Sequence, residues 1–448
     1  MAYARSPRTI GRCCRLAGGI FSHAAGVPCR ALPLRCHADS SRLRAVNGKI
    51  QVDDLAIFGG SPIFAIAKST SNLLQPNFEQ FMTYSDLFLQ AQRYIDGGPA
   101  VQLLERRLAE FHRVAHCITF CSGFWALALT IAALAVPGKR EIIMPSLTYR
   151  RMPDIVAWLG LIPHFCDVDP EMLSISAATV TPHINDNTAL ILAPHPIVNC
   201  CDVRGLVQLA HERKLPLLFD SVESVYESIP EGKIGGQGHA EAFSLHACKL
   251  LNGFGGGYIT TQDAKLAQQL ASLRHYGMDE SGKVVLSYGM NACLNDMHAA
   301  LALASLDDVE HQVRRNRERY RTYQSGLAQV SGIRLVAFDE QHATAYKNIV
   351  VELLDDWPLS REETIRILNA ERILARAYYA PPLHCKPMDF AFIAPPLPVT
   401  EWLAERFMNL PCGHLVSNQD IRHIVDILVF IAAQVEPIRT RLRSQFIA

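Results

Sequence analysis

Six short runs dominated by apolar residues, at 141–144, 162–168, 189–194, 215–220, 242–246 and 257–261, constrain this chain more than anything else in it. Each is too short for a buried helix and lacks the strict alternation of a strand with one wet face. Amphipathic stretches such as 151–159 and 203–213 stand between them. Strands that are apolar throughout must be covered on both sides, and the intervening helices supply that cover. The pattern predicts an α/β fold around a mostly parallel sheet. Upstream, Val101, Leu104, Leu108 and Phe111 mark one face of a helix over 100–111. The stretch 125–136 is apolar nearly all round and reads as a buried helix opened by Ser122-Gly123.

Past Asn291 the pattern changes to a long helical stretch, 298–326, of the kind that links two domains. A strand at 349–353 and helices at 361–371, 401–408 and 419–434 then predict a smaller α+β domain. The expected division is a large domain over 50–315 and a small C-terminal one over 316–448. No internal repeat is visible.

Composition narrows the function. The 448 residues carry 43 Lys+Arg against 43 Asp+Glu, with 49% hydrophobic residues, so a nucleic-acid or polyanion binder is not expected. No apolar run reaches the roughly 18–20 residues of a membrane-spanning helix, which predicts a soluble protein. The 13 Cys show no CxxC and no regular spacing, so neither a metal site nor a disulfide scaffold is expected, and reduced thiols in the cytoplasm fit best. The neutral balance hides an asymmetry: residues 1–49 hold nine basic residues against one acid, Asp39. This basic, acid-poor segment reads either as an organellar transit peptide or as translation upstream of a start near Val46 or Val52. It is set aside as an extension, disordered or missing from the mature protein.

Ligands settle at the carboxyl ends of strands in such a sheet. Four features fall there. Lys249 follows the run 243–246 and precedes Asn252-Gly253-Phe254-Gly255-Gly256-Gly257; Asp220 ends the run 215–219; Ser122-Gly123 opens the buried helix; Thr148-Tyr149 follows Pro145. Singly, each has an ordinary explanation: a solvated lysine, a helix cap, a tight turn, a packed aromatic. Their order and joint placement are what carry weight.

That order resembles the DegT/DnrJ/EryC1/StrS family of pyridoxal-phosphate-dependent sugar aminotransferases. The matching residues are Leu55-Ala56-Ile57-Phe58-Gly59-Gly60-Ser61-Pro62, Ser122-Gly123, Pro145-Ser146-Leu147-Thr148-Tyr149, Asp167-Val168-Asp169, Asp220, Phe243-Ser244-Leu245-His246-Ala247-Cys248-Lys249, Gly289-Met290-Asn291, Tyr379-Ala380-Pro381-Pro382-Leu383-His384 and Leu410-Pro411. The resemblance spans about 55–435. It implies an aspartate-aminotransferase-like (fold type I) large domain with pyridoxal 5'-phosphate as cofactor. It makes Lys249 the lysine that condenses with the cofactor aldehyde and then moves the proton. Asp220 is similar to the carboxylate that keeps the pyridine nitrogen protonated. Tyr149 matches the aromatic that stacks on the ring. The backbone of Gly123 and Phe124 and the Ser244 hydroxyl match the phosphate site. Glu223 stands where the family has Gln or His beside the phenolic oxygen. Asn291 looks like the residue that reaches the phosphate of a neighbouring subunit, implying a homodimer with a shared site.

The implied reaction moves an amino group from an amino acid, L-glutamate by preference, to a keto group of a nucleotide-linked deoxy sugar, as in polysaccharide or antibiotic biosynthesis. The alternatives are a keto-cyclitol aminotransferase and a non-catalytic paralogue that binds the cofactor. The latter is motivated by three departures: Phe124 for a Thr, Gly255 for a Glu and Cys293 for an Arg.

Overall fold

The computed structural model describes residue 49 and residues 51–70, 76–92 and 97–445. The basic extension therefore lies outside the described residues, Lys49 excepted. The described residues form one compact unit.

Seven strands build the main sheet: β1 (His116–Phe120), β2 (Glu141–Pro145), β3 (Ile162–Cys166), β4 (Thr188–Pro194), β5 (Leu217–Asp220), β6 (Ala240–Ser244) and β7 (Gly257–Thr261). Their order across the sheet is β1-β7-β6-β5-β4-β2-β3. β3, β2, β4, β5 and β6 are mutually parallel, and β7 runs against both β6 and β1. The apolar runs occupy its interior: Ile142, Ile143, Met144, Leu190, Ile191, Leu192, Leu217, Leu218 and Phe219 are each fully buried. Alternate residues serve opposite faces. Ile143, Ile191 and Phe219 join a core shared with helices α1 (Pro99–His112) and α3 (Val203–Arg213). Ile142, Leu190 and Leu218 join a second core under helix α2 (Gly123–Leu134). Coverage of both faces is what lets these strands be apolar throughout.

Three elements differ from expectation. β1 was not legible as a strand, because its apolar content is modest and its polar Thr119 is satisfied by Glu105, whose Oε1 accepts from the Thr119 backbone N–H at 2.8 Å. The long helix is two helices, α4 (Asp296–Asp307) and α5 (Val309–Leu327), which meet at Asp308. The expected division at 315 falls inside α5. Finally, the helix expected over 401–408 ends at Ala404, and Phe407–Leu410 is a strand. That strand is central in a second, antiparallel sheet of β8 (Ile333–Leu335), β9 (Ile349–Leu353), β10 (Arg376–Ala377) and β11 (Phe407–Leu410), ordered β8-β9-β11-β10. Pairing on both edges overrides the local helical pattern.

The segment 49–69 packs on residues of the C-terminal part. Lys49 Nζ meets Glu371 Oε1 at 3.0 Å, with both side chains buried. The Ala56 and Ile63 backbones donate to the two Glu371 oxygens at 2.7 and 2.9 Å. Lys68–Ser69 pairs in parallel with Ile373–Leu374. Lys49 thus belongs to the folded body and not to the extension in which the sequence boundary placed it.

Candidate active site

The strand order positions the site. β5 ends in Asp220 and its neighbour β6 ends in Ser244, so both side chains emerge at the same carboxyl edge. Asp220 is 8% exposed, and among the described residues its carboxylate accepts one hydrogen bond, from the Val222 N–H at 3.2 Å. The chain turns after β6, with the Lys249 N–H donating to His246 O at 2.9 Å, and this turn carries the Lys249 side chain back over the edge. Lys249 Nζ makes a close ion pair with Glu223 Oε1. Glu223 Oε2 accepts from Lys347 Nζ at 2.7 Å and from Asn348 Nδ2 at 3.2 Å. Lys347 and Asn348 lead into β9 of the second sheet.

The charges follow from this geometry. Burial works against the Glu223 carboxylate, but Lys249 and Lys347 more than reverse it and hold the group far below the usual carboxylate range. Burial is likewise the largest single influence on Lys249 and opposes its ammonium, but the attraction and hydrogen bond of Glu223, with the nearby Cys248 and Asp220, together outweigh it and leave the lysine above its ordinary value. Asp220 has no such partner close by. Burial pushes it up to about 6, against the Val222 N–H and the more distant Lys249. A cation brought against Asp220 would reverse that shift.

A second cluster forms at the start of α2. Ser122 caps the helix, its hydroxyl accepting from Trp125 N–H at 3.3 Å, so the first-turn N–H groups of Gly123 and Phe124 stand free of intrahelical partners. Gly123 lies against Ser244, where a Cβ would come within 3.3 Å of the serine Cβ. Gly257, on β7, is pressed closer still: a Cβ there would lie 2.5 Å from Gly123 Cα and 2.9 Å from Phe243 O. Only glycines let β6, β7 and α2 meet this tightly, with backbone donors and the Ser244 hydroxyl side by side. Gly257→Ala is accordingly expected to cost about 1–3 kcal/mol and to loosen retention of an anion at Gly123. Thermal denaturation with and without ligand checks this; an unshifted Tm would show that the contact yields freely.

Other residues singled out from the sequence are placed as follows. Tyr149 follows β2 and is 49% exposed. The Phe124 ring turns away to pack edge-on against Trp125 at 4.9 Å. Asn291 is exposed on a hairpin, its backbone bridged to His275, and among the described residues no hydrogen bond ties its side chain to Gly123, Ser244 or Lys249. Gly255 leaves room for the His298 ring, 3.3 Å from where its Cβ would be, and Cys293 donates to Arg274 O at 3.3 Å.

Three neighbours were not assigned from the sequence. Lys347 is one. Tyr379, in the left-handed region at φ 48°, is another; burial and the carboxylates of Glu223 and Asp220 push its hydroxyl well up. The third is His195, after β4, whose ring stacks on Phe219 with planes 4° apart. Its Nδ1 accepts from Cys201 N–H at 3.2 Å, its Nε2 is buried without a hydrogen-bond partner, and burial pushes it down to about 3, so it is a neutral imidazole. Its place after a strand was the available signal; the unmatched nitrogen was not readable.

A lysine, a buried carboxyl and a helix start converging on one strand edge is a donor set seen in known proteins. A profile of the DegT/DnrJ/EryC1/StrS aminotransferase family matches residues 78–429. The chain belongs to that family. The dTDP-4-amino-4,6-dideoxy-D-glucose transaminase of Shigella dysenteriae is 27% identical over 307 residues, covering 68% of this chain and 83% of its own. The GDP-perosamine synthase of Caulobacter vibrioides is 27% identical over 333 residues, covering 73% and 89%. The crystal structure of DesI in the presence of its TDP-sugar product superposes with a TM-score of 0.81 at 30% identity, over 88% of this chain and all of that one.

The chain is therefore a pyridoxal-phosphate-dependent aminotransferase of fold type I. As a DegT/DnrJ/EryC1/StrS member it offers the cofactor a fitting set of groups. A carboxyl held near 6 by burial suits a ring nitrogen that must stay protonated, and the free N–H groups of α2 beside Ser244 suit a phosphate. The Lys249 amine suits an aldehyde. No helix among the described residues is long and apolar enough to cross a membrane.

Proposed function

We propose that this enzyme transfers an amino group from an amino acid, L-glutamate by preference, to a keto group of a nucleotide-linked deoxy sugar in the cytoplasm. The observation that carries the substrate class is the match to DesI, solved with a TDP-sugar product, across the whole of that chain. The curated relatives named for dTDP- and GDP-linked sugars support the same class over a keto-cyclitol.

When bound, pyridoxal phosphate supplies an aldehyde that takes up the amino group and a ring that draws electrons from the neighbouring carbon. Lys249 is the residue that captures the aldehyde and afterwards carries the proton. Asp220 would face the ring nitrogen and keep it protonated, and Tyr149 would cover the ring. Gly123 and Phe124 N–H groups and the Ser244 hydroxyl hold the phosphate, and Glu223 orients Lys249. A large part over 50–315 holds these groups, and the part over 316–448, which provides Lys347 and Tyr379, closes the site.

The same proposal makes the enzyme a homodimer in which Asn291 reaches the phosphate of the neighbouring subunit. The hairpin leading to Asn291 exposes Tyr276, Val284, Val285 and Tyr288, the last 79% exposed, an apolar surface that a second copy would cover. A monomer with full cofactor occupancy at micromolar concentration would remove this part.

The reaction itself is read by absorption. With pyridoxal phosphate bound, the visible band of the covalently held cofactor is expected to bleach on adding L-glutamate and to return with a dTDP- or GDP-linked 4-keto-6-deoxy sugar. A band that never bleaches across amino donors would sustain the non-catalytic alternative. One that bleaches but returns only with keto-cyclitols would replace the sugar.

A further inference from the structure

We propose that Lys347 is a positioning residue for Lys249: by holding one oxygen of Glu223 it gives that carboxylate its own counter-ion, so that Lys249 can lose its proton without stranding a buried charge. The inference rests on Lys249 being the capturing lysine.

Two ammonium groups share one carboxylate, with Lys249 on Oε1 and Lys347 on Oε2, and the side chains are only 15%, 7% and 17% exposed for Lys249, Lys347 and Glu223. Water has little access to replace either cation. A buried ion that loses its partner is strongly penalised. Were Lys249 the only cation, its deprotonation would leave Glu223 alone with the Asn348 amide, and the carboxylate would resist the loss. With Lys347 in place, the Glu223–Lys347 pair stays neutral after Lys249 becomes an amine. Only the free amine has the lone pair that attacks an aldehyde carbon.

Lys347 is held for this role by its backbone. Its carbonyl accepts from the Cys412 thiol at 2.9 Å, and it sits between Tyr346, in the left-handed region at φ 49°, and the start of β9. It comes from the segment leading into the second sheet, and its Nζ meets the carboxylate oxygen that Lys249 leaves free.

The other titratable groups facing the cluster do not take over this role. Asp220, at the end of β5, is pushed up to about 6 and is ionised throughout the neutral and alkaline range. From the C-terminal part, burial pushes the Tyr378 and Tyr379 hydroxyls well up and Cys412 to about 11, so they remain uncharged at neutral pH. Cys248, beside Lys249, lies 3.2 Å from His246 Nδ1. None of them is a cation.

The test reads the protonation of Lys249 directly in the cofactor-free protein. Competitive acetylation with acetic anhydride across neutral to alkaline pH, followed by peptide mass spectrometry, gives the midpoint at which Lys249 becomes reactive. Lys347→Met is expected to raise that midpoint by about one pH unit or more, because Glu223 then holds Lys249 alone. Glu223→Gln is expected to lower it, since Lys249 then faces Lys347 without an anion. Lys347→Arg keeps it near the wild-type value. In the presence of pyridoxal phosphate at a fixed neutral pH, capture by Lys347→Met should slow about tenfold when the midpoint rises by one pH unit. A lysine that merely braced the fold would lower the Tm and leave the midpoint in place; an unchanged or lower midpoint in Lys347→Met overturns the proposal. Should that variant not fold, Lys347→Gln gives the same comparison with the same overturning result. Failure of the underlying role is distinguishable, because it would appear as cofactor still reducible onto the chain in Lys249→Ala.

Discussion

Lys249→Ala is expected to lower turnover by about 10⁴-fold or more, the largest effect of any single change in this enzyme. General acid–base transfer alone accounts for about 10²–10⁴, and in the proposed mechanism the same residue also provides covalent capture. The fold should survive. Glu223 loses its Oε1 partner but keeps Lys347 and Asn348 on Oε2, so the cost should stay below the roughly 3–5 kcal/mol that follows when a buried ion loses its only partner. Three measurements check this: steady-state turnover, borohydride fixation of the cofactor to the chain, and thermal denaturation. Fixation should vanish while the Tm stays within a few degrees, and a small amine such as methylamine should restore part of the turnover. Wild-type turnover in this variant would remove Lys249 from the chemistry altogether.

Asp220→Asn should have the second-largest effect, and its two consequences have opposite signs. Removing the charge that faces the ring nitrogen is expected to cost about 10²–10³ in kcat, as loss of a preorganised electrostatic contact does elsewhere. Without cofactor the same change should stabilise. Asp220 has a folded pKa of about 6 against 3.8 for the free group, so its protonated form favours the fold. That contribution is complete below 3.8 and is lost as pH rises to about 6. Above this window the wild type carries a buried, poorly partnered carboxylate whose penalty reaches about 3 kcal/mol. The Asn side chain removes it and can still accept from Val222 N–H. The cofactor-free variant should therefore melt above the wild type at pH 8 and together with it near pH 4, and saturation with pyridoxal phosphate should reverse the order at pH 8. Equal melting of the two cofactor-free proteins at pH 8 would show that Asp220 is better solvated than its burial implies.

What could be read from the sequence divides along physical lines. β2 to β7 were visible because two-faced burial writes an uninterrupted apolar run. β1 and β11 were not, since their assignment depends on partners far away in sequence, and the sequence around β11 locally favours a helix. Lys249, Asp220 and Gly123 could be singled out because each follows an apolar run, ends one or opens a helix, whereas Ser244 came only from the family resemblance. Lys347 was invisible: it lies 124 residues from the carboxylate it holds, and a lysine ahead of a strand looks like any solvated lysine. The sequence marked Glu223 as standing where the family has Gln or His, but not the second cation that holds it, Lys347, which comes from the segment leading into another sheet. Tyr379 was quoted within a motif and given no role, because its approach to Asp220 and Glu223 depends on a left-handed backbone that residue type does not announce.

The clasp between the segment 49–69 and Glu371 also bears on how the protein is made. The Ala56 and Ile63 amides close on a carboxylate 315 and 308 residues further along. During synthesis this early segment leaves the ribosome long before its acceptor exists, and Lys49 has no counter-ion until then. The seven-stranded sheet can form meanwhile, for its strands are complete by Thr261. The early segment must wait in an unfinished state, a known source of misassembly in large chains. Such distant closure also slows the final step. The nascent enzyme therefore spends its most vulnerable interval with its sheet formed and the segment 49–69 still waiting for Glu371.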